Sequence, residues 1–186
     1  MMFKSISRSI SLLAIAGLLT AGFAAAEPSK AQRLEVQKEG IELIGQLEDV
    51  ARDVHFNADR LNSLGHTSSK FSRQHHLMQI RELVNDGLQP ALKRLTEIQP
   101  ELKEWHRDVI DKMLASAKAL AADTNAAILN QNEKGTVPTA INPEYKQMVS
   151  RIAEHAETLI KTSDAAANYA TAHQQAEEAG LKLPRH

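Results

Sequence analysis

The chain has 186 residues, a formal net charge of −1 and no cysteine. Without an excess of Lys and Arg it lacks the basic stripe that nucleic acid demands, and without cysteine it can form no disulfide, thiolate metal site or acylated lipoprotein anchor. Aromatic residues make up only 4%. Alanine, leucine, glutamine, glutamate and lysine abound, a mixture that favours helix over sheet.

The first 26 residues, MMFKSISRSISLLAIAGLLTAGFAAA, carry the parts of a secretory signal. Lys4 and Arg8 make a basic start, Ile10 to Phe23 an apolar stretch, and Ala24-Ala25-Ala26 before Glu27 a small-residue cleavage site. An uncleaved anchor is the competing reading, because a spanning helix can be about 17 residues long. Cleavage after residue 26 is the expectation, leaving a chain free of the membrane in the periplasm or outside the cell. The remaining 160 residues hold 20 basic and 23 acidic side chains, for a net charge of −3. They suffice for one domain over residues 27–180, held by burial alone, with residues 181–186 as a frayed tail.

Four long segments follow, each with a helical period. In the first, about Gln32 to Leu64, the apolar stripe runs through Val36, Gly40, Leu43, Ile44, Leu47, Val50, Ala51, Val54, Ala58 and Leu61. Gly65 is its stop, and Thr67 or Ser68 the cap of the next. The second carries Leu77, Ile80, Val84, Leu88, Ala91, Leu95 and Ile98, with a kink expected near Pro90. Pro100 is expected at the start of a third helix, whose stripe takes Leu102, His106, Val109, Met113, Ala117, Leu120, Thr124 and Ile128. After the long connection NQNEKGTVPTAIN, Asn142-Pro143-Glu144 gives the strongest helix start in the chain. The fourth stripe runs from Tyr145 through Met148, Ile152, His155, Leu159, Ser163, Ala166 and Ala170 to His173, and Gly180 is its stop. Four helices of about 30 residues, each about 45 Å long and joined mostly by short turns, predict an all-α, antiparallel up-down-up-down four-helix bundle.

Folding these helices about their turns brings His55, His76, Asp123 and either Glu154 or His155 to within about one turn of a common height. On a helical projection His155 falls inside its stripe, His55 and His76 lie at the flanks of theirs, and His75 faces water. Ala51, Ala58, Ala121, Ala122, Ala153 and Ala156 surround this layer, leaving room for a cofactor or simply close helix packing. His55, His76, His155 and Asp123 or Glu154 are thus candidate ligands for zinc or copper. A non-covalent haem on a histidine and Met148 is the related possibility. ExxH, CxxCH, HExxH, GxSxG, a phosphate loop and a dinucleotide fingerprint are all absent, so no catalytic chemistry is expected. His106 and His173 fall near the centres of their stripes and are expected to be satisfied core histidines, with Asn168 or Tyr169 serving the first and Glu177 the second.

Phe56, Phe71 and Trp105 lie off their stripes. They are candidates for docking a protein or a small apolar ligand, with covering of the bundle's edges as the plainer account. The sequence thus predicts an exported, non-enzymatic binding module with no resident cofactor. A metal- or haem-binding bundle built on the mid-bundle histidines is its rival.

Overall fold

The computed structural model describes residues 29–64, 70–134 and 142–180. The signal-like segment, Gly65 with its neighbouring caps, the middle of the long connection and the tail 181–186 lie outside the described residues.

The chain forms an all-α four-helix bundle. Helix α1 spans Lys30–Ser63. Its first turn is closed reciprocally: the Gln32 amide donates to Ser29 Oγ (3.2 Å) and the Ser29 amide to Gln32 Oε1 (2.8 Å). This capping box satisfies two amides that an unprotected helix start leaves exposed. The buried face follows the expected period through Gly40, Ile44, Leu47, Ala51, Val54, Ala58 and Leu61.

The second arm is segmented into α2 (Lys70–Glu82), a π-helical turn (Leu83–Leu88) and α3 (Gln89–Ile98). The Gln89 amide bonds to the carbonyl of Val84, five residues back, and Pro90 follows in the first turn of α3. Pro90 has no amide to donate and its ring crowds the carbonyl four residues before it, so the wider turn falls where an α-helical bond is already forfeited. At this turn Gly87 touches α1, and a β-carbon there would stand 2.9 Å from both γ-carbons of Val50.

Pro100 occupies a 3₁₀ turn, Gln99–Glu101, and α4 begins later than expected, at Glu104, running to Lys134. Between them Leu102 is extended (ψ 158°) and buried, and its Cδ2 lies 3.0 Å from where a β-carbon on Gly40 would be. The delayed start lets Leu102 plug into the notch that Gly40 leaves in α1. The buried face of α4 takes Ile110 and Ala127, whereas the neighbours Val109 and Ile128 pack at its margin.

Helix α5 spans Pro143–Glu178. Asn142 caps it as expected: its Oδ1 accepts from the Tyr145 amide (3.2 Å) and its Nδ2 donates to Asn130 Oδ1 on α4 (2.7 Å). Gly180, at φ 70°, adopts the left-handed conformation of a helix stop.

Helix α1 lies against both α5 and the second arm, and α4 against both as well. Pairs between α1 and the second arm run in opposite senses, from His76 beside Asn57 through Gly87 on Val50 to Arg94 on Glu39. The same holds between α4 and α5, from Asn130 with Asn142 through Asp123 with Arg151 to Trp105 with Tyr169. These pairings are compatible with an up-down-up-down path. Among the described residues no helix is long and apolar enough to cross a membrane.

Candidate functional site at the open end of the bundle

Toward its C-terminus α5 changes character. Through Ala166 its inner face is buried, but within ANYATAH only Ala170 and His173 are even half-buried, and Tyr169 is exposed. Alanine side chains cannot span the gap to α1, so the bundle opens at this end. The opening is a cavity of about 720 Å³, within the range of small-molecule sites.

Three elements build its walls. The first turns of α1 contribute Leu34 and Ile41, both unusually exposed for large apolar residues, together with Gln37. The turn before α4 contributes Leu102, and the first turn of α4 contributes Trp105 and His106, while α5 adds Ala170 and His173. Among the described residues, the charged side chains of the lining are Arg33, Lys38, Glu101 and Lys103.

Of the rings at this end, Trp105, His106 and His173 line the cavity, and Tyr169 packs beside them. Trp105 stacks on His106 with centroids 3.6 Å apart and planes 25° from parallel. Tyr169 tilts against the other rings, 5.0 Å from Trp105 and 6.1 Å from His173. His106 is 2% exposed, and neither of its ring nitrogens has a hydrogen-bond partner. The same holds for Trp105 Nε1 and for Gln37 Oε1, although the Gln37 amide group donates to the Glu101 carbonyl at 3.2 Å. These four atoms are shielded from water as well as unpaired, a costly state for polar groups. Burial above all pushes the His106 imidazole down to about 4, helped by the charges of Lys103 and His173 and opposed by the Lys103 carbonyl. His106 is therefore neutral at pH 7, with one donor and one acceptor. Its burial matches the sequence reading, but its partners do not. Asn168 is exposed, and Tyr169 meets the neighbouring indole through its ring.

The mid-bundle histidine layer does not assemble. Asp123 and His155 do meet, at 3.3 Å, but Arg151 already holds Asp123 through three bonds of 3.1, 3.0 and 2.6 Å. That guanidinium is the main reason the Asp123 carboxyl lies below the ordinary carboxylate range. His55 turns to Asp59 on its own helix (3.4 Å), His76 to Asn57 Oδ1 (2.9 Å), and Glu154 is exposed. Burial, followed by the charge of His75, lowers the pKa of His76. Among the described residues no three His, Asp or Glu side chains are placed to hold a metal ion. Ala51, Ala58, Ala153 and Ala156 are buried in the core cluster, so much of the small-residue layer is packed. His75 is exposed, as the projection indicated.

The three off-stripe aromatics divide between the two ends. Phe56 and Phe71 are 56% and 78% exposed, with Arg60 lying 5.0 Å over the Phe56 ring. Trp105, half-buried, lies with Leu34 and Ile41, and the 22 residues from Leu34 to Phe56 along α1 correspond to about 33 Å. They therefore do not make one surface. The residues that the sequence reading missed are Leu34, Gln37 and Ile41. Leu34 and Ile41 left a signal, as apolar residues on the polar side of an amphipathic helix.

No protein-family model, curated protein or solved structure matches this chain.

Proposed function

We propose that this chain is an exported, non-enzymatic binding protein whose ligand is a small, largely apolar molecule held in the cavity between the start of α1, the start of α4 and the end of α5. One observation carries the reading: a largely apolar opening of about 720 Å³ gathers four of the seven buried, unpaired side-chain polar atoms found among the described residues. Packing that merely ended there would leave neither the space nor the unpaired groups. A ligand that enters and shifts Trp105 and His106 gives those groups partners while covering Leu34 and Ile41. The signal-like first 26 residues support export to the periplasm or beyond.

The test uses residues 27–186 and the neutral fluorophore N-phenyl-1-naphthylamine. Because Trp105 is the only tryptophan, energy transfer from it reports proximity directly. Saturable binding of about one equivalent is expected, weakened about tenfold by Ala170→Leu, which fills the cavity. Absence of saturable transfer, or binding indifferent to Ala170→Leu, would overturn the reading.

A further inference from the structure

We infer that the slot between the second arm and α4 binds a medium-chain aliphatic carboxylate, its chain lying against Leu88, Leu92, Leu114 and Ala121 and its carboxylate reached by Lys93 and Lys118. The slot shares no lining residue with the bundle-end cavity. The 16 residues from Trp105 to Ala121 correspond to about 24 Å along α4, so neither site depends on the other.

The slot is a cavity of about 240 Å³. On one side the second arm presents branched side chains in steps of four, Val84, Leu88 and Leu92, running through the π-turn into α3. On the other side α4 presents Leu114, Ala117 and Ala121, whose two alanines are too short to fill the seam. Leu114 and Ala121 are only half-buried, so apolar surface is left for a ligand to cover. The volume lies below the roughly 300 Å³ at which drug-sized sites begin. Among the described residues that line it there is no aromatic ring on which a planar group could stack. An aliphatic seam between two helices suits an extended hydrocarbon chain, which gains in proportion to the apolar area it covers.

Charge at the rim sets the head group. Lys93 on α3 and Lys118 on α4 line the slot from opposite walls, both are exposed, and no described lining residue is acidic. Among the described residues neither ammonium meets a carboxylate. Glu97, one turn beyond Lys93, is turned to Arg94 (3.4 Å), and Lys118 lies in LASAKALAA, with no acid within a turn on either side. Glu82 and Asp86 of the second arm line the opposite groove, together with Asp53 of α1. Around the π-turn the arm's negative charge therefore lies on its α1 side, away from the slot. In a chain of net charge −1, two such cations over an apolar seam match an anion with a hydrocarbon tail. A cationic amphiphile would meet repulsion there, and a neutral one would gain nothing from the lysines.

The probes are octanoate, hexanoate, 1-octanol and octylammonium, titrated calorimetrically into residues 27–186. About one equivalent of octanoate should bind, about tenfold more tightly than hexanoate, since each buried methylene is worth about fourfold. Octanoate should also bind about tenfold more tightly than 1-octanol, and octylammonium weakest of all. The preference over octanol should fall to about twofold or less in the double variant Lys93→Gln, Lys118→Gln, whose exposed sites tolerate the change. Ala121→Leu, which fills the slot, should weaken octanoate about tenfold, whereas Ala170→Leu should leave it unchanged. Equal affinity for octanoate and octanol, or a preference that survives loss of both lysines, would overturn the head-group assignment. Octanoate binding that Ala170→Leu abolishes and Ala121→Leu spares would move the ligand to the bundle-end cavity and refute the slot. Absence of saturable octanoate binding would refute it too, while leaving the bundle-end cavity to be judged by the neutral fluorophore. A dimer that Ala121→Leu dissociates and octanoate does not would give the slot to a second copy of the chain instead.

Discussion

His106 shows how much a single residue can hide behind a correct burial pattern. The four-residue step from Leu102 places it inside the bundle, but spacing reports a face of a helix and not what the imidazole meets there. The neutral form is favoured on folding, because burial pushes the group from 6.5 to about 4. Between those values the unfolded chain takes up a proton that the folded chain refuses, so stability is fully present above pH 6.5 and falls with acidification through this window. At about 1.4 kcal/mol per pH unit the loss should be of order 3 kcal/mol, measured by urea unfolding at pH 7 and near pH 4. His106→Phe should flatten most of that slope, and an unaltered slope would show that His106 does not set it. Tyr145 poses the opposite problem at the other end of the bundle. Its hydroxyl is buried without a partner, and burial pushes its ionisation up to about 12. Tyr145→Phe removes an unpaired polar atom without changing the ring, so it should be neutral or stabilise by about 1 kcal/mol in urea unfolding. A loss of that size instead would reveal a bond to the hydroxyl.

Among the elements, the periodic faces were readable and the irregular joints were only partly so. Asn142-Pro143-Glu144 and Gly180 act as the rules of helix ends require, since a capping amide or a positive φ is decided within a few residues. The Ser29–Gln32 capping box was equally local, and its S-x-x-Q spacing was there to be read. Pro100 misled because a proline suited to a first helical turn serves a 3₁₀ turn as well, and the choice was made by Leu102 seating on Gly40, a contact between distant segments. The π-turn left a trace in the buried stripe of the second arm, where two steps of four, Ile80 to Val84 to Leu88, interrupt the usual alternation of three and four. Gly87 tests what holds that turn against α1. Alanine is the better helix former by about 1 kcal/mol, but its methyl group would sit 2.9 Å from Val50, and overpacking of this kind costs about 1–3 kcal/mol. Gly87→Ala should therefore lower stability, and in a Val50→Ala background the same change should raise it. Unfolding the four proteins as a double-mutant cycle gives the sign directly, and a destabilisation that persists without Val50 would place the constraint elsewhere.

At the scale of the whole molecule, alternating apolar stripes and short turns made the four-helix architecture legible. They also made the relative heights of facing residues legible, so that Asp123 does face His155. Heights alone could not assemble a ligand set, because His55 turns to Asp59 and His76 to Asn57 while only His155 meets Asp123. Nor could they reveal a cavity, which is space left unfilled by residues far apart in the chain. Arg151 and Asp123 tie α4 to α5 near the middle of the bundle, with the carboxylate side chain only 15% exposed. Arg151→Gln should lower the urea midpoint and raise the acid threshold for unfolding, since the Asp123 carboxyl then returns toward its ordinary range and the stability it supplies is lost at higher pH. A variant whose acid and urea midpoints both match the parent would assign the bridge no structural weight.

The π-turn also makes the second arm a composite in which chain length and orientation are uncoupled. A bond reaching five residues back, in place of four, holds one residue more than an α-helical turn. Deleting a single residue between Leu83 and Leu88 would let the backbone close as continuous α-helix over the same turn, so the faces beyond it would keep their register. Arg94 would still meet Glu39, and Leu95 and Ile98 would stay in the core. The same deletion in the regular helix of α1 would rotate everything beyond it by about 100° about the axis. The π-turn is therefore the place in the bundle where a change of chain length is absorbed.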